Sequence, residues 1–157
     1  RLHVPVDRPL IAVHVGSPVL AKRWPATRFA PLIERLTEAG AHVLLVGGVA
    51  DADVVAEVLD VSHAAATDFT GKASLPQLAA VFTRCGCFVG NDSAPMHLAA
   101  AVGIPTVGLF FASDPERFGP RGPLTRVVAA RDRRARSVEA VFEAVQEFRK
   151  PVGVRSP

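Results

Sequence analysis

Residues 87–110 read CFVGNDSAPMHLAAAVGIPTVGLF, and this stretch predicts the fold class of the chain. An apolar run at 87–90 is followed by the polar segment 91–97, small residues at 98–103 and a second apolar run at 106–110. Pro95 stands where a helix tolerates proline best, in its first turn, because the N–H group that proline lacks would have no intrahelical partner there. The stretch therefore predicts a strand, a polar turn, a helix that lies close on a sheet, and the next strand.

The polar turn has the residues of a phosphate-binding helix N-terminus. Asp92 or Ser93 is expected to cap the helix, while free backbone N–H groups around Ala94, Met96 and His97 form a positive pole suited to a phosphate. The imidazole of His97 is expected to meet the phosphate, the alternative being a packing histidine. Asp92 is anionic like the phosphate, so it is expected to accept backbone N–H bonds that shape the turn or to take a sugar hydroxyl.

The alternation of strand and helix patterns extends along the whole chain. Strand-like runs occur at 10–15, 42–46, 64–69, 87–90, 106–110 and 126–130. Helical patterns occur at 27–39, 50–59 and 138–148, and two further helices begin near Ser74 and Ala94. Apolar strands that alternate with amphipathic helices indicate a parallel sheet covered on both faces. With right-handed crossovers, the expected fold is α/β, a doubly wound, mostly parallel six-stranded Rossmann-like sheet in the order 3-2-1-4-5-6.

In that order, ligands bind where the first and fourth strands diverge, between the loops at 16–24 and 91–97. In the first loop, Gly16 permits close approach of the backbone, Ser17 can hydrogen-bond a phosphate oxygen, and Lys22 can neutralise a diphosphate. The alternative is a surface connection in which Lys22 is merely solvated. The loop contains neither G-x-G-x-x-G nor the P-loop pattern.

The loop after the second strand supplies a carboxylate, Asp51, directly after Gly47 and Gly48. An acid at this place commonly receives ribose hydroxyls, although Asp51 can equally be the acidic first-turn residue of a helix. The turn at 69–72 is expected either to pass near a purine edge or to be a plain turn. No set of residues has the spacing of a metal site, and no Ser/His/acid arrangement is evident.

Composition indicates one domain without a membrane span. The chain has 157 residues, of which 49% are hydrophobic and 21% charged, which is sufficient for one buried core. The longest nearly uncharged stretch, 93–113, is interrupted by proline and glycine and cannot form a spanning helix. Cys85 and Cys87 are too few for a zinc set and too close for an easy disulfide. We therefore expect a soluble, cytoplasmic domain.

The net charge of +3 and the isoelectric point near 9.4 come largely from arginines in the last third of the chain: Arg117, Arg121, Arg126, Arg131, Arg133, Arg134 and Arg136. A solvated basic surface is the expected interpretation. The chain has no tyrosine, no aromatic residues interleaved with the arginines and no recognition motif, so nucleic acid is not expected as a partner.

In their order along the chain, these residues resemble glycosyltransferase family 9, the bacterial ADP-heptose lipopolysaccharide heptosyltransferases. The matching motifs are His14 with Gly16, KRWP at 22–25, GG at 47–48 followed by an acid, GKASL at 71–75, and the run at 91–105. The resemblance spans nearly the whole chain. The departures are Val15 where proline is usual, Asp51 where glutamate is usual, Ala94 where glycine is usual, and Phe111-Ala112 where glycine and proline are usual.

Two departures bear on ligand binding. Ala94 is expected to place a Cβ beside the phosphate and to disfavour a positive φ, unless it already belongs to the first helical turn. Phe111 is expected to narrow the loop after the fifth strand.

The resemblance implies the C-terminal, donor-binding half of a GT-B enzyme that transfers a sugar with inversion and without a metal or other cofactor. The implied donor is an ADP-sugar, in particular ADP-heptose, and a glycan or lipid-linked acceptor would bind through an N-terminal half that also carries the general base. The isolated domain is then expected to be inactive, and the resemblance implies a membrane association that is at most peripheral, at the inner membrane. Residues 1–9 would be a linker, 10–150 the nucleotide-sugar domain and 151–157 a tail. The implied donor-binding residues are Ser17, Lys22, Asp51, Asp92, Ser93, Ala94, Pro95, Met96 and His97.

Two alternatives stay open at this point. One is a non-catalytic nucleotide-binding module, for which the departures at Ala94 and Phe111 are the evidence. The other is a different GT-B-type enzyme, such as a sugar-nucleotide epimerase, which would release an altered sugar without an acceptor.

Overall fold

The computed structural model describes residues 7–129 and 137–149. Most of the predicted linker, the predicted tail at 151–157 and the arginines between 131 and 136 lie outside these residues. Within them, the fold predicted from the sequence is confirmed.

Six parallel strands form one sheet in the order β3-β2-β1-β4-β5-β6. Their bounds are β1 Leu10–His14, β2 His42–Leu45, β3 Ala66–Asp68, β4 Cys85–Asn91, β5 Thr106–Phe110 and β6 Thr125–Ala129. Strand β4 begins earlier than predicted because Cys85 already pairs with Leu10 of β1. The third strand is shorter than predicted, at three residues. From β1, the strands β2 and β3 extend the sheet to one side, and β4, β5 and β6 extend it to the other. The winding direction therefore reverses between β1 and β4, as expected.

Six helices connect and cover these strands: α1 Ala26–Glu38, α2 Ala52–Val61, α3 Leu75–Phe82, α4 Ala94–Val102, α5 Pro115–Phe118 and α6 Val138–Arg149. Short 3-10 turns at Leu20–Lys22 and Val49–Asp51 precede α1 and α2. The single-turn helix α5 was not predicted; Asp114 caps it, and the Asp114 side chain accepts a hydrogen bond from the Glu116 N–H group. Arg35 of α1 forms an ion pair with Glu139 of α6.

Side chains of each strand alternate between two apolar cores, one on each face of the sheet. Val43 and Leu45 point into the core with α1, α2 and α6, whereas Leu44 and Val46 point into the core with α3 and α4. This alternation follows from the two-residue repeat of a strand. It explains why the strand patterns were apolar throughout.

Helix α4 lies close to the sheet because the facing positions are small. Met96 is fully buried, and a Cβ at Gly108 of β5 would lie 2.7 Å from its sulfur. The helix ends at Gly103, whose φ of 90° is readily available only to glycine. The close packing fixes where the first turn of α4 meets the sheet edge.

Cys85 and Cys87 are free and buried. Burial raises the pKa of the Cys85 thiol to about 11 and that of the Cys87 thiol to about 12. In the described part of the chain, we find no helix with the length and apolarity needed to cross a membrane.

Candidate functional site

A cavity of about 320 Å³ lies at the carboxyl ends of β1, β2 and β4, where the sheet reverses its winding direction. Three loops line it with His14, Ser17, Pro18, Val19, Lys22, Gly48, Asp51, Asp92, Ser93, Ala94 and Pro95. The structure thus brings together all but two of the residues predicted from the sequence to bind a ligand. The exceptions are Met96 and His97.

The first turn of α4 forms one wall of the cavity. Ser93 is the N-cap residue, but its side chain makes no capping bond; its hydroxyl oxygen lies 2.9 Å from the Asn91 carbonyl oxygen and 3.0 Å from Nδ1 of His14. Ser93 thus occupies the predicted cap position, but the predicted side-chain capping bond is absent, because other groups engage the side chains of both Asp92 and Ser93. The first N–H groups of a helix have no intrahelical partner, so this turn keeps its positive pole for a ligand.

Lys22 reaches the cavity from the loop after β1. Its ammonium donates to Oδ2 of Asp92 at 2.7 Å, and the Ser113 hydroxyl donates to the same oxygen at 2.6 Å. The Lys22 side chain is 28% exposed and that of Asp92 is 7% exposed. Asp92 therefore holds the ammonium at the cavity wall rather than accepting backbone N–H bonds, as had been one expectation.

Asp51 lines the same cavity from the end of the 3-10 turn after β2. Its Oδ2 accepts the Gly48 N–H group at 2.9 Å and lies 3.3 Å from His14 Nε2. The hydrogen bond with His14 is the main cause that lowers the pKa of Asp51, against the opposing effect of burial. The carboxylate is thus held ionised, as required of an acceptor for sugar hydroxyls.

Two glycines make room for this carboxylate. A Cβ at Gly16 would collide with the carboxyl group of Asp51, and a Cβ at Gly47 would lie 2.7 Å from Oδ2. The sequence predicted that Gly16 brings the backbone close to a phosphate. The structure gives Gly16 a further role, which is to accommodate the Asp51 side chain, and the approach to a phosphate stays a prediction.

Ser17 is buried, and its hydroxyl oxygen accepts the Val19 N–H group at 3.2 Å. The Ser17 carbonyl oxygen accepts Nε of Arg23 at 2.7 Å. The hydroxyl proton of Ser17 stays available to a ligand oxygen, because accepting a hydrogen bond does not use it.

His14 and Asn91 are site residues to which sequence reasoning assigned no role. His14 ends β1 and contacts both Asp51 and Ser93, so the structure contains a Ser/His/acid cluster that was not evident in the sequence. Asn91 is fully buried and ties the strand end to the first loop: its Nδ2 donates to the Val15 and Gly16 carbonyls, and its Oδ1 accepts the Trp24 N–H group. The position of His14 at the switch point was the available signal for it.

Met96 and His97 do not line the cavity. The Met96 side chain is buried against the sheet, so any contribution to the cavity is confined to its backbone. The His97 side chain is exposed, and its N–H group donates to the Ser93 carbonyl at 3.4 Å. The predicted contact of the His97 imidazole with a phosphate finds no support, because the first turn of α4 directs this residue away from the cavity lining.

The departures at Ala94 and Phe111 leave the cavity open. Ala94 is the first residue of α4, and no non-glycine residue between 7 and 129 or 137 and 149 has a positive φ. The expectation of backbone strain at Ala94 is therefore wrong. The Phe111 ring stacks on Trp24 with centroids 6.3 Å apart, and the two border a separate cavity of about 330 Å³.

Among the residues that the structure describes, no three His, Cys, Asp or Glu side chains are grouped so as to hold a metal ion. The cavity therefore offers cationic, hydroxyl and carboxylate groups, with a helix N-terminus. This set fits a ligand with an anionic centre and neighbouring hydroxyls.

Comparison with known proteins gives the family. The model of "Glycosyltransferase family 9 (heptosyltransferase)" matches residues 2–144. The chain belongs to glycosyltransferase family 9. Among curated family 9 members, lipopolysaccharide heptosyltransferase 2 of Escherichia coli K12 is 32% identical over 127 residues, and that of Salmonella typhimurium is 33% identical over 127 residues. Each match covers 78% of this chain and 36% of the relative.

Solved structures of family 9 have the same fold. Escherichia coli ADP-heptose lipopolysaccharide heptosyltransferase II superposes with a TM-score of 0.84 at 27% identity, over 92% of this chain and 47% of that chain. A family 9 glycosyl transferase from Veillonella parvula superposes with a TM-score of 0.84 at 29% identity, over the same shares. The chain therefore spans less than half the length of these relatives.

Proposed function

We propose that this chain is the donor-binding half of an inverting, metal-independent glycosyltransferase, and that its donor is an ADP-sugar. The observation that carries the proposal is one cavity lined by Lys22, the first turn of α4 and the carboxylate of Asp51, whose pKa is lowered by its hydrogen bond with His14. A nucleoside diphosphate presents these chemistries in the same order, as anionic phosphates beside ribose hydroxyls.

We assign the diphosphate to Lys22, Ser17 and the α4 turn that starts at Ser93, Ala94 and Pro95. A diphosphate with two negative charges competes with the single charge of Asp92 for the Lys22 ammonium, so ligand entry would exchange one ion pair for another. The Ser17 hydroxyl would donate to a phosphate oxygen.

We assign the ribose to Asp51 and a hydroxyl of the transferred sugar to Asp92. Asp51 is anchored through Oδ2, which leaves the second oxygen able to accept from a ribose hydroxyl. Asp92 directly follows β4, and its Oδ2 accepts the Ser113 hydroxyl.

ADP-heptose is the proposed donor because a family 9 relative at 27% identity is named an ADP-heptose heptosyltransferase. Curated relatives are named as lipopolysaccharide heptosyltransferases, which supports a role in lipopolysaccharide core or related glycan synthesis. Since the chain spans less than half of these proteins, we propose that acceptor binding and the general base belong to another half, and that this chain alone binds donor without turnover.

A non-catalytic nucleotide-binding module was the main alternative. Its evidence was the pair of departures at Ala94 and Phe111, and neither obstructs the cavity. No feature of the described residues favours an epimerase over a transferase.

Calorimetric titration of the chain with ADP, GDP, UDP and NAD tests the proposal. ADP should bind with an affinity between millimolar and micromolar, which corresponds to roughly 4–8 kcal/mol. NAD should bind more weakly, because the first loop carries a cation and a hydroxyl in place of a glycine-rich turn. Tighter binding of NAD than of ADP would overturn the proposed donor class.

A further inference from the structure

His14 is clamped between two groups of the proposed donor site. Its Nδ1 lies 3.0 Å from the Ser93 hydroxyl oxygen, and its Nε2 lies 3.3 Å from Oδ2 of Asp51. The residue is only 3% exposed. An imidazole held at both nitrogens has few ways to arrange its protons.

When His14 is neutral, its single proton must lie on Nε2. The other tautomer would direct the Nε2 lone pair at the ionised carboxylate of Asp51, and two acceptors cannot form a hydrogen bond. Nδ1 is then an acceptor, and the Ser93 hydroxyl satisfies it by donating to it. In this state the Ser93 proton points at the histidine and away from a ligand.

When His14 is protonated, both nitrogens donate. Nε2 donates to Asp51, and Nδ1 donates to the oxygen of Ser93. The Ser93 proton is then directed to the Asn91 carbonyl oxygen at 2.9 Å. A phosphate oxygen in the cavity can replace that carbonyl as the acceptor.

We propose that His14 is a positioning residue whose protonation turns the Ser93 hydroxyl into a donor for the diphosphate, so that donor binding takes up a proton. The inference rests on the proposed function, since it places the diphosphate at Ser93. Histidine is the side chain that most often serves as a protonation switch of this kind.

The charged groups around His14 are consistent with this linkage. Asp51 faces it from the turn before α2, while Lys22 and Asp92 border the same cavity and are paired with each other. Arg23 contributes a positive charge that acts on Asp51. His97 is exposed on α4 and does not line the cavity. It is the other histidine near the site, and a pH dependence of binding that arose from His97 would be an alternative to the role of His14.

The test is calorimetric titration of the chain with ADP-glucose. The diphosphate of this diester has no titrating proton near neutrality, unlike the terminal phosphate of ADP, whose second pKa lies near that of a phosphate monoester, about 6. We expect binding at about pH 6 to be roughly tenfold tighter than at about pH 8.5, the effect of one charge-assisted hydrogen bond. Titrations in buffers of different ionisation enthalpy should show proton uptake on binding.

Variants identify the group responsible. His14→Gln keeps a side-chain donor but cannot be charged, and its affinity should not change with pH. Ser93→Ala should bind more weakly at low pH and lose the pH dependence, whereas Ser93→Thr keeps the hydroxyl and should retain it. Because Ser93 is partly exposed, the two Ser93 variants test the proposal even if the variant at the buried His14 fails to fold. His63→Gln, an exposed histidine before β3, is the matched control and should behave as the wild type.

The outcomes separate the two proposals. Failure of ADP-glucose to bind at either pH contradicts the proposed donor class. Binding of equal strength at both pH values with no proton uptake contradicts the role of His14 alone. The role is also overturned if the pH dependence persists in Ser93→Ala, or is lost in His97→Gln and kept in His14→Gln.

Discussion

Lys22 and Asp92 are 70 residues apart in the chain, yet the Lys22 ammonium donates to the Asp92 carboxylate at 2.7 Å across the edge of the sheet. This contact joins the loop after β1 to the loop after β4, the two segments that flank the switch point. The predicted loops are thus connected by their own side chains before any ligand binds.

Replacement of Lys22 by Ala should weaken ADP binding more than adenosine binding. Only the diphosphate loses a charge-assisted contact, which is typically worth about 1.5–3 kcal/mol. Parallel calorimetric titrations with both ligands measure the difference. Arg84→Ala removes a positive charge at the other end of β4 and should leave both affinities unchanged. Equal losses for the two ligands in the Lys22 variant would place this residue away from the phosphates.

Replacement of Gly16 by Ala should displace the Asp51 carboxylate, because the added methyl group occupies its position. Overpacking of this kind costs about 1–3 kcal/mol of unfolding free energy. Urea denaturation measures the loss. The matched control is Gly86→Ala on β4, where the nearest atom to an added Cβ is 3.7 Å away. Comparable stability of the two variants would contradict the proposed accommodation of Asp51.

Replacement of Asp51 by Asn should lower stability at neutral pH and matter less in acid. The pKa of Asp51 is lowered in the folded chain, so its contribution is complete above the unfolded value of about 4 and is lost as the pH falls through the folded value. Denaturation at several pH values should therefore show the gap between wild type and variant closing below about pH 4. Asp60→Asn, at an exposed position of α2, should show no such convergence.

Ala94→Gly should destabilise the chain by about 0.5–1 kcal/mol without tightening ADP binding, because Ala94 is already helical and glycine only adds freedom to the unfolded chain. Melting temperature and ADP affinity of the variant measure both effects. Ala101→Gly, at an exposed position within α4, gives the cost of glycine away from the cavity. A clear gain in affinity would show that the alanine does hinder the ligand.

The buried thiols of Cys85 and Cys87 should be inert in the folded chain. Burial raises the pKa values to about 11 and about 12, so little thiolate exists near pH 8, the ordinary range of thiol reagents. A colorimetric disulfide reagent should react slowly with the native chain and at once in denaturant. Rapid reaction of the native chain would contradict this expectation and show that β4 becomes accessible to solvent in the folded state.

Periodicity and topology rules predicted the strand order and the two loops of the site, because these depend on apolar patterns and on crossover handedness. The pairing of side chains inside the site could not be predicted in the same way. Lys22 was assigned to a phosphate without its partner Asp92, and Asp51 was assigned to a ribose without His14. Such contacts join residues far apart in the chain, and their distances follow from how the loops close over the sheet.

The same limit applies to Met96 and His97, which do not line the cavity. Both stand in the polar turn of the sequence, but the first turn of a helix distributes its side chains around the axis. Met96 faces the sheet at Gly108, and His97 faces solvent. Residues that are adjacent in this motif thus line the cavity, pack on the sheet or face solvent, according to the direction in which each side chain leaves the helix.

Because the Asp51 side chain packs against Gly16 and Gly47, the side chains that these three positions can accept depend on one another. A side chain can enter position 16 or 47 only if the acid at 51 shortens or leaves, and a longer acid at 51 must find its extra volume elsewhere than above the two glycines. Substitutions at these positions should therefore be strongly non-additive. Variants changed at one of these positions should lose stability or binding. Variants changed at all three positions together are the ones in which a larger side chain at position 16 or 47 can be accommodated.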